Sequence, residues 1–195
     1  MVAKAGLDRM TVVRTAAELA DSLGLHQVTL AAVASRLGVR TPSLYNHVEG
    51  LGGLLRELAL YGINKLGKRL ERAAVGKATD DAVKAIMQAY RSFAREHPGL
   101  YEATLHAPDM NDTEAQRASE EVVNILLTVL EPFGLQKNEA LHVVRGLRSL
   151  AHGFASLESA GAFGLPLDRD ESYRLMVDLF LRGLNTICDD KSVHD

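Results

Sequence analysis

Apolar residues recur every three or four positions along most of the chain, which is the spacing of one face of an α-helix. The first such stretch predicts a helix over residues 8–23, which begins at a capping Asp8 and ends at Gly24. Its inward face is predicted to hold five apolar residues: Val12, Ala16, Leu19, Ala20 and Leu23. Runs of β-branched residues between turn signals are rare, so the pattern favours helices.

The remaining helices are separated mainly by proline and glycine, which interrupt helical structure. The predicted ranges are 30–37, 42–48, 51–74, 80–96, 99–106, 114–132, 138–160 and 170–189. No stretch gives a convincing strand pattern. We therefore predict an all-α fold with an N-terminal three-helix domain over residues 1–50 and a larger helical domain over residues 51–195.

The segment 28–48, VTLAAVASRLGVRTPSLYNHV, has two short helices and a tight turn, which is the arrangement of a helix-turn-helix. Ala34 is small where the helices would cross, and Gly38 can open the turn with a positive φ. Burying Leu44 and Val48, four positions apart, turns the neighbouring polar face outward. That face comprises Thr41, Pro42, Ser43, Asn46 and His47. Such a face can enter the DNA major groove, and a hairpin whose polar residues are merely solvated is the alternative.

Charge is distributed unevenly along the chain. Residues 1–48 carry five basic and three acidic side chains, a sum of +2, so the remainder must sum to −5 to give the net charge of −3. A basic N-terminus on an acidic body suits DNA binding by the N-terminus. The single Cys188 excludes an intrachain disulfide, and no run of eighteen apolar residues occurs. We therefore expect a cytoplasmic protein with no membrane partner.

The stretch from Leu7 to Leu55 resembles the DNA-binding domain of the tetracycline-repressor (TetR) family. Residues 29–48 match that family's pattern T…A…LGV…P-x-L-Y-x-H-[FV] nearly in full. The resemblance implies base contacts from Arg40, Thr41, Pro42, Ser43 and Asn46. It implies phosphate contacts from Thr29, Tyr45 and His47.

One position departs from the family pattern. The family usually has a lysine that binds a DNA phosphate at the start of its fourth helix, and this chain has Leu51 there. Loss of one phosphate contact should lower DNA affinity and flatten the salt dependence by about one unit of slope. Arg56, one turn further along, is the candidate substitute.

For the larger domain, the resemblance implies dimerisation through the last two long helices and a pocket for a small-molecule effector. The segment from Arg148 to Glu158 is similar to a C-terminal subclass with a Trp-x-x-x-His-Gly signature, with Arg148 at the tryptophan position. The final helix offers an apolar partner face: Tyr173, Met176, Val177, Phe180, Leu181 and Leu184.

Two groups of residues are candidates for effector contact. The first is Arg145, Arg148 and His152, which suit an anionic or hydrogen-bonding effector. The second is Met87, Tyr90, Phe93, His97, Tyr101 and His106. Each group has a structural alternative. The polar residues of the first group can lie at the dimer surface or in solvent, and aromatic residues at helical spacing, as in the second group, usually form core.

The sequence thus predicts a dimeric, ligand-responsive transcriptional repressor that binds a palindromic operator. Its partners are double-stranded DNA, a small-molecule effector and a second copy of the chain, with no cofactor and no metal. An enzyme is disfavoured because GxSxG, P-loop, GxGxxG and HExxH motifs are absent. Two alternatives stay open: a helical protein-interaction module with weakened DNA binding, and a regulator without an inducer.

Overall fold

The structure is a computed structural model, which describes residues 7–105, 109 and 111–192, with side chains up to residue 188. This part of the chain forms eight α-helices, three 3₁₀ helices and no strand. The α-helices are α1 (Arg9–Leu23), α2 (Leu30–Leu37), α3 (Gly50–Ala74), α4 (Thr79–Glu96), α5 (Pro98–Ala103), α6 (Thr113–Leu130), α7 (Lys137–Ser159) and α8 (Arg169–Ser192). The 3₁₀ helices are Leu25–Gln27, Thr41–Asn46 and Glu131–Phe133. The predicted all-α fold is confirmed.

The helix ends follow signals that are local in the sequence. Asp8 Oδ1 accepts a hydrogen bond from Thr11 N at 2.6 Å and so caps α1. Pro98 lies at the start of α5, where its missing N–H has no cost. Gln136 and Glu139 form a reciprocal capping box at the start of α7.

The chain divides into two compact units. The first unit comprises Met1–Lys65 and Glu96–Ala118, and the second comprises Leu66–Arg95 and Ser119–Asp195. Each unit is therefore assembled from two separate stretches of sequence. The functional division at residue 50 stays a prediction, because it concerns which residues bind DNA rather than which residues pack together.

The core of the first unit includes Val12, Ala16, Val33, Leu44, Leu54, Leu58 and Leu100. A Cβ atom added at Gly99 would lie 2.0 Å from Ala20 O, so α1 and α5 meet backbone against backbone. The prediction that Leu23 is buried is wrong: this residue ends α1 and is 58% exposed. Leu23 follows the same spacing as the buried residues of α1, but it lies at the end of the helix, beyond the part that is packed.

In the second unit, α8 presents a different outer face from the one predicted. Tyr173, Val177, Leu181 and Leu184 are at most 5% exposed and pack within the unit. The Tyr173 hydroxyl donates a hydrogen bond to Met87 O at 2.7 Å, which ties α8 to α4. The large apolar residues that α8 leaves exposed are Leu175, Leu179 and Ile187. The predicted partner face is therefore mostly core.

Candidate nucleic-acid interface

The candidate DNA-reading element is residues 29–48, in which α2 and the second 3₁₀ helix are joined by a turn at Gly38. Gly38 adopts the left-handed conformation with φ of 66°, which a side chain would disfavour. Gly38 N and Val39 N donate hydrogen bonds to Ser35 O and Ala34 O at 3.1 and 3.0 Å. This is the Schellman pattern, so backbone hydrogen bonds fix the direction of the turn.

The second half of this element is wound more tightly than the sequence suggests. The prediction of a helix over residues 42–48 is wrong in its bounds, because the segment is a 3₁₀ helix over Thr41–Asn46. Its hydrogen bonds span three residues, as between Ser43 N and Arg40 O at 2.9 Å. Thr41 therefore belongs to the first turn of this helix.

Burial divides the element as the spacing predicts. Leu44 is fully buried and Val48 is 5% exposed, whereas Tyr45 is 59% exposed. The other predicted DNA contacts are exposed fully or in part: Thr29, Arg40, Thr41, Pro42, Ser43, Asn46 and His47. Two buried anchors thus hold the segment while hydroxyl, amide, imidazole and guanidinium groups stay accessible, as base and phosphate contacts require. The individual contacts stay predictions.

Thr29 has a second role at the start of α2. Its Oγ1 accepts a hydrogen bond from Ala32 N at 3.1 Å, so it caps the helix. The remaining N–H groups of the first turn carry the positive end of the helix dipole. A helix start of this kind favours a nearby phosphate.

A cleft of about 450 Å³ lies beside the reading element. It is lined by Arg9, Tyr45, Asn46, His47, Val48, Glu49, Gly53, Arg56 and Glu57. The predicted phosphate-binding residues Tyr45 and His47 therefore share a surface with two guanidinium groups.

An ion-pair network runs from this cleft to the start of α6. Arg9 and Arg56 both pair with Glu57, with Arg9 Nε and Arg56 Nη1 each 2.8 Å from a Glu57 oxygen. Arg56 Nε and Nη2 also donate to the two Asp112 oxygens at 2.5 and 2.7 Å. A further hydrogen bond joins Arg56 Nη2 to Glu114 Oε2 at 2.8 Å. Arg56, the predicted substitute for the missing lysine, is thus held by three carboxylates.

The network changes the acidity of its members. The Arg56 hydrogen bonds lower the pKa of Asp112 to about 2, assisted by a backbone hydrogen bond from Ala115 N. The same interaction with Asp112 raises the pKa of Arg56. Leu51, at the position where the family has its lysine, is 41% exposed and brings no charge.

The candidate effector residues are distributed over both units. Tyr90 and Phe93 are buried in α4 of the second unit, as core residues would be. On α7, Arg145 and Arg148 are exposed and His152 is half-buried. Their role in effector binding stays a prediction.

Two further candidates, His97 and Tyr101, belong to the first unit, and His106 lies outside the described residues. His97 Nδ1 lies 2.8 Å from Asp21 Oδ2, and its Nε2 lies 3.0 Å from Lys65 Nζ. Asp21 also accepts a hydrogen bond from Leu100 N at 2.8 Å. His97 thus takes part in the junction of α1, α3 and α5.

Sequence reasoning missed a buried arginine in the second unit. The Arg91 side chain is 2% exposed, and its Nε and Nη2 donate to the Glu158 oxygens at 2.8 and 2.6 Å. Its Nη1 lies 2.8 Å from Asp170 Oδ1. The guanidinium carbon is 4.9 Å from the ring centres of both Phe154 and Tyr173. The available signal was an arginine four residues after Met87, on the apolar face of α4.

Comparison with known proteins identifies relatives of the chain. Residues 83–180, half of the chain, match the family described as tetracyclin repressor-like, C-terminal domain. This match leaves the Trp-x-x-x-His-Gly subclass unconfirmed. The uncharacterized HTH-type transcriptional regulator YobS of Bacillus subtilis (strain 168) is 37% identical over 185 residues, covering 94% of this chain and 96% of the relative.

Solved structures share the fold at lower identity. A protein of unknown function from Rhodococcus sp. RHA1 is 23% identical with a TM-score of 0.81, covering 95% of this chain and 99% of that one. TetR-Q116A from Acinetobacter baumannii AYE, in complex with minocycline, is 19% identical with a TM-score of 0.71, covering 94% of this chain and 99% of that one. Within the described residues, no helix is both long and apolar enough to cross a membrane.

Proposed function

The chain belongs to the TetR family of transcriptional regulators. On that premise we propose that it is a homodimeric repressor that binds a palindromic operator, and that a small-molecule effector releases the repressor from the DNA. TetR-family proteins regulate transcription and are not enzymes, so the predicted function class is confirmed. Operator binding, dimerisation and the response to an effector are the content of the proposal.

The division of the reading element into buried anchors and an accessible polar face carries the proposal. With Leu44 and Val48 buried, the 3₁₀ helix can enter a major groove without exposing core. Base contacts are assigned to five residues that are exposed fully or in part: Arg40, Thr41, Pro42, Ser43 and Asn46. The polar side chains can form hydrogen bonds with base edges, and Pro42 can make an apolar contact. Phosphate contacts are assigned to Thr29, Tyr45 and His47.

The exposed apolar residues of the last two helices support a dimer. Leu175, Leu179 and Ile187 of α8 are 55–59% exposed, and Leu157 of α7 is 49% exposed. Leu175 and Leu179 are four residues apart and lie on one helix face, and Ile187 lies about 80° further round the helix. Exposed leucines at this spacing suit a four-helix seam between two copies. A dimer carries two reading elements, which matches the two half-sites of a palindromic operator.

The effector would act by changing the population of DNA-competent dimers. Two half-sites in successive major grooves lie about 34 Å apart, so a change in spacing weakens both contacts together. An effector needs only to bind the non-competent dimer more tightly than the competent one. TetR-Q116A from Acinetobacter baumannii AYE, which shares this fold, was solved in complex with minocycline, and this supports small-molecule binding as part of the proposal.

The first test is binding of the purified protein to the DNA that flanks its own gene. Fluorescence anisotropy at two salt concentrations, with scrambled competitor DNA, should show nanomolar binding to a palindrome. Tyr45→Phe combined with His47→Ala should abolish that binding. Lys68→Ala, which removes an exposed charge in the second unit, is the control and should retain it.

The outcomes separate the proposal from its alternatives. Binding no tighter to a palindrome than to scrambled DNA, there and across a random-site selection, would refute operator binding and favour a protein-interaction module. Specific binding that no candidate effector releases would favour a regulator without an inducer.

A further inference from the structure

The ion-pair network beside the reading element contains more negative than positive charge. Arg9 and Arg56 supply two guanidinium groups, whereas Glu57, Asp112 and Glu114 supply three carboxylates, which gives a net charge of −1. Three of the five side chains line the cleft that Tyr45 and His47 also line: Arg9, Arg56 and Glu57. The guanidinium groups of the surface that would contact DNA phosphates are therefore already paired with carboxylates of the same chain.

Arg56 is the member of this network for which DNA and protein would compete. Its side chain is 37% exposed, so a phosphate can reach it without unfolding of the unit. Guanidinium binds carboxylate and phosphate with the same two-pronged geometry. The Arg56–Asp112 pair is two-pronged and part-buried, with the Asp112 side chain 15% exposed, so a DNA phosphate can replace Asp112 only by offering the same geometry.

Asp112 keeps a backbone hydrogen bond to one of its two carboxylate oxygens when Arg56 leaves. Its Oδ1 also accepts a hydrogen bond from Ala115 N at 3.1 Å, in the first turn of α6. The positive end of the α6 dipole stabilises the carboxylate there. Glu114, the other partner of Arg56 at the start of α6, is 61% exposed, so water would hydrate its carboxylate once Arg56 leaves.

We propose that Asp112 and Glu114 form a carboxylate latch, an internal competitor that holds Arg56 away from DNA phosphate and thereby lowers operator affinity. This inference rests on the proposed function and concerns the regulation of the same surface. In the DNA-bound form, Arg56 leaves the latch and supplies the phosphate contact that Leu51 lacks. Arg56 can thus replace the missing lysine, and two acidic residues at the start of α6 determine whether its guanidinium is available to DNA.

The test compares DNA binding of the latch variant Asp112→Asn/Glu114→Gln with that of the wild type. Asparagine preserves the helix cap and glutamine preserves the side-chain length, so the fold is kept. The probe is a fluorescein-labelled duplex recovered by the wild type from a randomised pool. We expect the latch variant to bind about threefold to tenfold more tightly at about 50 mM salt, with a salt dependence steeper by about one unit.

A charge-matched control is available in the same unit. Glu18→Gln/Glu102→Gln removes two exposed negative charges outside the network. It should change affinity less than the latch variant and leave the slope unchanged. Arg56→Ala should weaken binding, and adding it to the latch variant should cancel the gain.

Each result decides one question. If the wild type binds its duplex but the latch variant binds equally or less tightly, the latch is refuted while the proposed function stands. A gain that persists in the Arg56→Ala background, or that equals the charge-matched control, also refutes it. If the wild type selects no duplex, the proposed function fails; a non-operator duplex at low salt then tests the latch, because phosphate contacts do not depend on sequence.

Discussion

Replacing Glu158 by alanine should destabilise the second unit by about 3 kcal/mol, because it removes the main partner of a buried cation. The Arg91 side chain is 2% exposed, so water cannot take over the hydrogen bonds that its guanidinium loses, whereas the Glu158 side chain is 11% exposed. Breaking a buried pair from one side costs about 3–5 kcal/mol. The lower end applies here because Asp170, 72% exposed, stays 2.8 Å from Arg91.

Arg91→Met should cost less than loss of the glutamate. Methionine keeps an apolar stem between the rings of Phe154 and Tyr173 and leaves Glu158 at a partly hydrated position. The double variant should be more stable than the sum of the two single effects predicts, by about 2 kcal/mol. That difference is the coupling energy of the pair.

The assay is urea unfolding followed by far-ultraviolet circular dichroism at several protein concentrations, because dimerisation would add to apparent stability. Two results would refute the reasoning. One is a cost below about 1 kcal/mol for Glu158→Ala, which would mean that the guanidinium is solvated. The other is additivity of the single variants, which would mean that the two charges do not interact.

Three further predictions concern other features. Leu179→Glu should shift the protein from dimer to monomer in sedimentation equilibrium, because it places a charge on the exposed apolar face of α8; an unchanged dimer would exclude this face from the seam. Gly99→Ala should destabilise the protein by about 1–3 kcal/mol, since its Cβ would meet the backbone of α1, whereas Gly52→Ala, which meets nothing, should stabilise it slightly, both by thermal unfolding. Asp112, whose pKa Arg56 holds at about 2, contributes stability that is complete above its ordinary pKa of 3.8 and is lost as the pH falls through about 2. Asp112→Asn should therefore be less stable than the wild type in urea at pH 7, and a difference that persists below pH 2 would contradict this.

The fold could be predicted because its signals are local. Caps such as Asp8 and breaks such as Pro98 lie within a few residues of the helix ends that they set. The reading element could also be predicted from the sequence, since its buried pair and turn glycine fall within one short segment. Its 3₁₀ winding could not be predicted, because the spacing of Leu44 and Val48 is equally compatible with an α-helix.

Features that depend on distant contacts were missed. Nothing near Arg91 indicates that its partners are Glu158 and Asp170, more than sixty residues away in the sequence. The two apolar faces of α8 posed a related problem. Both the buried set with Tyr173 and the exposed set with Leu179 follow helical spacing, so periodicity alone could not choose which face is inside.

The junction of α1 with α5 has a consequence for chimaeric regulators. The carboxylate of Asp21 holds both Leu100 N and His97, and Gly99 lets the two backbones touch. Exchanging DNA-recognition parts between family members by a single cut at residue 50 would therefore separate surfaces that are shaped for each other. A transplant should carry residues 96–118 together with residues 1–65, which requires three crossovers, after residues 65, 95 and 118. The interchangeable part of this protein is defined by contact in space and not by order along the gene.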